Sequence, residues 1–500
     1  MSSDPRRRLL LLRRLLLALA SLVVTFLLLE VAARVAFPHF APIQLRDGVY
    51  LSRLPLVNGR PSGRESEAAS GKPLPVEKAP NELRIFTFGE SSMVGCPWGY
   101  AGAPPTILHD LLRAAFPGRR ITVVNMGHTS SFVMDSYYYL LSIAPFQPDF
   151  VVFYQGANDR FDLDEEMCAP HNHPQAYAAW RWIVGHSRLF YVVRLLGPEH
   201  VGALRVSEGM ERGSPERCPW STFGQWTDLV VETAQATGAR VVIASPVRSV
   251  LDGIDFDRSR EPPDRALAAM SGLRRDLLAC QLTPGCDFIA RLDELGLKTK
   301  VSYLSNLACY LVPGCPAKLR WAAQQLERSA AEITDRGEYW RATAKSHGIA
   351  FVDFRNLFIA QQPHGVMGPP AIVDEVHLTL DGYALLASTW AKAIGEMITG
   401  RKDFQPPAAD LARYRRDVGP EMAIRLALGI QKIRTRRFFV STALLQPAAA
   451  ADPQGPAAQL LGWMRMKLGL PSGLPAPLEA KALHLDQEAV LRQAMRDSHP

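Results

Sequence analysis

This chain has little net charge. Lys and Arg number 56 against 49 Asp and Glu, a formal balance of +7. Five of those cations, Arg6, Arg7, Arg8, Arg13 and Arg14, crowd the N-terminus against Asp4 alone. The remainder is close to neutral, which argues against a dedicated nucleic-acid binder. Cysteine is scarce too, seven among 500 residues. Zinc-finger spacing, a Walker-type phosphate loop and a repeat array are all missing. What is present is ordinary: 47% apolar and 21% charged residues. That composition excludes wholesale disorder and collagen-like structure, and the length allows two or three domains.

The first feature that stands out is Leu15 to Leu29, an apolar run without charge, Pro or Gly. It would make about 22 Å of helix. A bilayer core needs roughly 20 residues, a length reached by continuing through Val31, Ala32, Ala33, Val35, Ala36 and Phe37. Glu30 and Arg34 interrupt that continuation, but they stand four apart and can pair on one helix face. The arginines before the run orient the N-terminus to the cytoplasm and export the body. The expectation is a single-pass signal anchor in the cell inner membrane with the body periplasmic or extracellular. A cleaved signal peptide with Val31-Ala32-Ala33 as its cleavage site is the alternative, and it exports the same body.

The cysteines suit an oxidising compartment. Cys280 to Cys286 and Cys309 to Cys315 share the pattern Ala-Cys-x-Leu-x-Pro-Gly-Cys. A Pro-Gly turn brings two such residues within disulfide range, so local bridges are expected, with cross-bridging between the loops as the alternative. Cys168 and Cys218 could form a third bridge, leaving Cys96 free. Cys168, His171 and His173 have the types for a metal cluster, but the prolines around them favour a plain loop.

Residues 1–37 thus read as a basic tip and anchor, and 38–80 as a polar, Pro/Gly/Ser-spotted tether. From there five short β-branched or aromatic runs alternate with helical segments: Arg84 to Phe88, Ile121 to Asn125, Phe150 to Tyr154, Ala239 to Ala244 and Ile349 to Phe354. Such runs belong to strands buried on both faces. The expected fold class is α/β, a doubly wound, parallel, five-stranded sheet in three layers over residues 81–400. Insertions at about 160–225 and 250–340, the second ending in an amphipathic helix from Ala317 to His347, would serve as lids or substrate walls. Residues 401–500 read as a Pro/Ala-rich extension with weak helices. The cations between Arg413 and Arg437 read as a solvated helix face.

Four short stretches carry chemistry. Gly89-Glu90-Ser91-Ser92 follows the first strand and places a hydroxyl at the sheet edge where open α/β sheets bind ligands. Asn125-Met126-Gly127 and Gly156-Ala157-Asn158-Asp159 follow the second and third strands. They offer an exposed amide and a carboxamide, both suited to a developing oxyanion. Asp374-Glu375-Val376-His377 puts a carboxylate three residues before an imidazole, which can fix its tautomer. Each piece alone has a bland reading as a cap, a turn glycine, an Asx turn or a surface pair.

In this order the pieces resemble the SGNH (GDSL-type) hydrolase superfamily, over about Leu83 to Gly400 without the insertions. The resemblance implies an SGNH/flavodoxin-like sheet, Ser91 as nucleophile, His377 as general base and Asp374 as its orienting acid. The Ser91 amide, the Gly127 amide and the Asn158 side chain would form the oxyanion hole. Glu90 replaces the family's usual Asp, and Ser92 its usual Leu, which makes Ser92 a rival nucleophile. The implied activity is a serine esterase acting on ester-linked acyl groups, acetyl among them, of an extracytoplasmic carbohydrate or lipid. An O-acyltransferase using the same triad and a non-catalytic glycan-binding or assembly component are the alternatives. No cofactor, metal or nucleic acid is called for.

Overall fold

The computed structural model describes residues 5–36, 56–57, 60–61, 74–159 except 130, 173–189, 221–247, 263–291 except 269, 271 and 288–289, 336–361, and 372–475 except 375, 419–420 and 435–436. The chain begins with α1 (Pro5–Ala36) and a hairpin of β1 (Leu56–Val57) and β2 (Arg60–Pro61). The alternating part follows: β3 (Glu82–Gly89), α2 (Ser91–Val94), α3 (Pro104–Ala115), β4 (Arg120–Asn125), α4 (Val133–Ile143) and β5 (Phe150–Tyr154). It continues through α5 (Pro174–His186), α6 (Ser221–Ala236), β6 (Arg240–Ala244), α7 (Pro263–Ala268) and α8 (Gly272–Leu282). After these come β7 (Ala350–Val352), α9 (Phe354–Ala360) and α10 (Leu380–Thr399). The described part closes with α11 (Leu411–Val418), α12 (Glu421–Arg434), α13 (Phe438–Ala451) and α14 (Pro456–Lys467).

The strand order is β2-β1-β4-β3-β5-β6-β7. Strands β4, β3, β5, β6 and β7 pair in parallel, as expected from the five apolar runs. Both faces of this sheet are covered, which is why the strands read as continuous apolar runs rather than alternating ones. Side chains still alternate by face. Leu83, Ile85, Phe150, Val152, Val242 and Ala244 enter one core with α3 and α10. Phe86, Phe88, Val151, Phe153, Val241 and Ile243 enter the other with α4 and α6. The sheet is therefore the middle of three layers.

The chain goes from β3 to β4 on one side and returns to β5 on the other. This reversal is a topological switch point, and the crevice beyond the carboxyl ends of β3 and β5 is where such sheets bind ligands. Gly89 to Ser91 and Gln155 to Asn158 lie there.

Three local differences from the sequence reading have physical causes. The segment read as a tether contributes β1 and β2, which extend the sheet antiparallel beyond β4 through two residue pairs. The last strand ends at Val352 rather than Phe354, because Asp353 caps α9 by accepting from the Asn356 amide. The C-terminal extension is not a loose tail over its described part. Ile430, Ile433, Phe438, Phe439, Leu444, Leu460 and Trp463 are buried in the same core as α3 and α10. Its cations are not a uniformly solvated face either: Arg413 and Tyr414 bind Asp110, Arg415 binds Asp381, and Arg425 lies over Trp98.

Cys280 and Cys286 are disulfide-bonded, the local pairing expected of the Pro-Gly loop, and Cys96 is in no disulfide among the described residues. The Cys309–Cys315 loop, Cys168, Cys218, His171 and most of both insertions lie outside the described residues. Among the described residues one helix, Arg13–Ala36, is long and apolar enough to cross a membrane, with a mean hydropathy of 2.6. Its Glu30 and Arg34 pair at 2.7 Å, as their spacing suggested. Glu30 also accepts hydrogen bonds from the Ser187 hydroxyl and from the Arg188 and Leu189 amides, and Arg34 donates to the His186 carbonyl. The end of α1 is thereby joined to the first insertion.

Candidate active site

Ser91 is the first residue of α2, a one-turn helix entered straight from β3 through Glu90. Gly89 is required at this bend, since a Cβ there would stand 2.3 Å from the Tyr154 carbonyl oxygen of the neighbouring strand. The Ser91 amide is at a helix N-terminus and has no intrahelical acceptor. Across the crevice, an isolated bridge between Ile372 and Leu378 closes the loop that carries Asp374 and His377, and Thr379 then caps α10.

The loop and the helix meet in a relay. Ser91 Oγ lies 2.8 Å from His377 Nε2, and His377 Nδ1 lies 2.7 Å from Asp374 Oδ2. A carboxylate can only accept, so Nδ1 carries the hydrogen and Nε2 is left to accept from the serine hydroxyl. The other carboxylate oxygen, Asp374 Oδ1, accepts the amides of Val376 and His377 at 3.0 and 2.9 Å. Burial would raise the Asp374 carboxyl. The His377 charge and hydrogen bond, and then the Lys432 charge, outweigh it and hold the carboxyl well below the ordinary carboxylate range.

Asn158 sits on the loop after β5, and that loop is clamped from both sides. Glu90, buried beside Ser91, accepts the Gly156 amide and the Asn158 amide, each at 2.9 Å. Arg336 donates to the Gly156 carbonyl and Trp340 to the Gln155 carbonyl. Gly156 has φ +121°, a conformation that side chains disfavour. The Asn158 carboxamide donates to the Ser131 carbonyl at 3.1 Å, which spends one of its two hydrogens.

Gly127 is already engaged within the protein. Its amide donates to Asn125 Oδ1 at 2.8 Å, while the Asn125 carboxamide donates to the Met93 carbonyl. A substrate oxygen gains the Gly127 hydrogen only by sharing it. Ser92, the rival serine, is buried and donates to the Val376 carbonyl at 3.3 Å. The structure thus brings Ser91, His377 and Asp374 together and sets Asn158 on the clamped loop.

The sequence motifs include Glu90, Asn125 and Asp159 without giving them a role, and Arg336 carries no motif signal. Burial and then the charge of Asp159 push the Glu90 carboxyl up to about 8, against its two amide bonds and Arg336. Burial pushes Asp159 up to about 7. Both carboxyls hold protons in the folded chain that an unfolded chain, with carboxyl pKa values near 4, has released. The folded state therefore binds more protons between about pH 4 and pH 8, and stability should fall as pH rises across that range and level off above it. Melting temperature should drop accordingly. Asp159→Asn, which keeps the shape and removes one ionisation, should flatten the drop, and an unchanged slope would contradict the assignment. Among the described residues no group of three or more His, Cys, Asp or Glu is placed to hold a metal ion.

No family model and no curated protein matches the chain. Solved structures do. A variant of an acetyl-xylooligosaccharide esterase from Geobacillus stearothermophilus is similar at 13% identity and a TM-score of 0.31, over 63% of this chain and 94% of that one. An alpha/beta hydrolase enzyme from the metagenome of Lake Arreo, Spain, is similar at 14% identity and a TM-score of 0.31, over 64% of this chain and 97% of the other.

Proposed function

We propose that this chain is an SGNH-type serine hydrolase that cleaves ester-linked acyl groups through an acyl-enzyme. The observation that carries the reading is the relay from Ser91 Oγ through His377 to Asp374, with hydrogen-bond distances of 2.8 and 2.7 Å. Nucleophile, base and orienting acid stand in the geometry that activates a serine hydroxyl.

In the first half-reaction Ser91 Oγ attacks the ester carbonyl carbon while its proton passes to His377 Nε2. The imidazolium is stabilised by Asp374 Oδ2 against Nδ1–H. The negative charge on the former carbonyl oxygen falls to the Ser91 amide and the free hydrogen of the Asn158 carboxamide, with the Gly127 amide sharing its hydrogen as the charge develops. Collapse expels the alcohol, which takes the proton from Nε2. In the second half-reaction water gives its proton to Nε2 and attacks the acyl-enzyme, and Ser91 leaves with that proton. The glycine and clamp arrangement supports preorganisation: the loop bearing Asn158 is fixed before substrate arrives. The substrate class, an acylated carbohydrate or lipid, follows from the sequence resemblance. Turnover of p-nitrophenyl acetate by the full chain in detergent tests the activity. A folded protein without turnover, and without acylation by any short-chain ester, would sink it.

The site is read as lying outside the cytoplasm, held by α1 as a retained anchor within a 1–37, 38–80, 81–400 and 401–500 division of the chain. The arginines before Leu15 set the orientation. Retention is supported by Glu30: cleavage after Ala33 would remove the acceptor of the Ser187 hydroxyl and of the Arg188 and Leu189 amides. A C-terminal alkaline-phosphatase fusion should be active and a green-fluorescent fusion dark, and mass spectrometry should find α1 on the membrane-extracted protein. The opposite fusion pattern would reverse the topology, and a new N-terminus near Ala33 would show a cleaved signal.

A further inference from the structure

The resemblance to a known family stops near Gly400, yet one residue beyond it reaches the proposed relay. Lys432, on α12 of the C-terminal extension, places its ammonium 3.8 Å from Asp374 Oδ2, the oxygen that also accepts from His377 Nδ1. This separation is beyond hydrogen-bond length and well within strong Coulombic range. The two side chains are 16% and 5% exposed, so solvent screens the contact poorly. Its position is not that of a wandering surface lysine. Ile430 and Ile433, either side of it on α12, are fully buried in the core that also holds Leu378, Leu380 and Tyr383, next to the Asp374–His377 loop. The helix cannot turn Lys432 away without exposing both isoleucines.

Building on the esterase reading, we propose that Lys432 is a positioning residue that shares Asp374 Oδ2 with His377 and keeps the imidazole in its neutral, proton-accepting form, so that the C-terminal extension completes the active site. The ammonium holds Asp374 ionised, which keeps Nδ1–H directed at Oδ2 and Nε2 open to Ser91. It also stands close enough to the imidazole to oppose a second positive charge there. Three described groups lie near this pair. Ser91 approaches from α2. Tyr383 on α10 donates its hydroxyl to the Cys96 carbonyl and is kept un-ionised chiefly by burial. Arg425, nearly two helix turns before Lys432, pairs with Glu421 and lies over Trp98.

The test reads His377 directly and does not need turnover. Diethyl pyrocarbonate carbethoxylates neutral imidazole and spares imidazolium, and peptide mass spectrometry quantifies the adduct at His377 as a function of pH in the full chain. Lys432→Met should move the midpoint of His377 modification to higher pH by about one unit. Lys432→Arg, which keeps the charge, should return it towards that of the unaltered protein. Lys432→Gln provides a second neutral variant should the Met variant fail to fold. A packing role alone would alter melting temperature and leave the midpoint in place. An unmoved midpoint in a folded neutral variant, or an Arg variant that behaves like the neutral ones, overturns the proposal. Failure of the esterase reading shows separately, as absence of p-nitrophenyl acetate turnover in the unaltered protein. Where turnover is present, the acid limb of its pH profile should move with the His377 midpoint.

Discussion

Ser91→Ala is expected to lower kcat for p-nitrophenyl acetate by roughly four to six orders of magnitude. The oxygen that His377 Nε2 faces at 2.8 Å is lost. The neighbouring Ser92 is the one hydroxyl close in sequence. It is buried, directed at the Val376 carbonyl, and separated from Ser91 by about 100° of helical rotation. Fluorophosphonate labelling followed by peptide mass spectrometry should put the adduct on Ser91 and find none in Ser91→Ala. Adduct on Ser92, or labelling that survives the substitution, would exchange the two serines. No labelling of either in folded protein would favour a binding or assembly component with a silent pocket.

Much of this site was legible because its residues are small, polar and placed just after buried strands. A strand covered on both faces must be a continuous apolar run, and where the run stops at Gly, Ser or Asn the sheet edge begins. Phe150 to Tyr154 is the clear case, read with the bounds the structure gives. The run Ile349 to Phe354 is longer than its strand, because nothing in the run itself shows that Asp353 turns its side chain back to cap a helix. β1 and β2 were invisible for the opposite reason. Two residues each carry no periodicity; β1 pairs with Val124 and Asn125 along the open edge of β4, and β2 pairs with β1 in turn.

Side-chain engagement is a level below that again. The sequence places Gly127 past a strand end, but it cannot show that the Asn125 carboxamide bridges the Gly127 amide and the Met93 carbonyl. Glu90 reads as a conservative exchange, and its work as a clamp emerges only when the loops after β3 and β5 lie side by side. Lys432 carried the weakest signal. It sits in a run of cations whose spacing fits an exposed helix, and only the burial of Ile430 and Ile433 turns that helix towards Asp374. Contacts between parts of a chain far apart in sequence depend on packing, and packing leaves no local pattern.

Asp374→Asn is expected to cut kcat by about ten-thousandfold with little change in fold. The reason lies in the two backbone amides that Asp374 Oδ1 accepts, from Val376 and His377. An asparagine at this position must leave its oxygen facing those two donors, since its NH2 group there would oppose both hydrogens. The NH2 then occupies the place of Oδ2, opposite His377 Nδ1. Nδ1 can no longer donate and must accept, which moves the ring hydrogen to Nε2, facing Ser91 Oγ. In that tautomer the imidazole has no lone pair for the serine proton, although all three side chains keep their positions. Lys432, formerly beside a carboxylate, is left beside a neutral amide and no longer has a countercharge there. The effect should fall on kcat, with KM within a few-fold, because the substrate-facing donors are untouched. Fluorophosphonate labelling of Ser91 should slow in parallel, since it needs the same proton transfer. A loss of less than about tenfold would mean that the imidazole takes its orientation from elsewhere, and Asp374 would lose its assigned role.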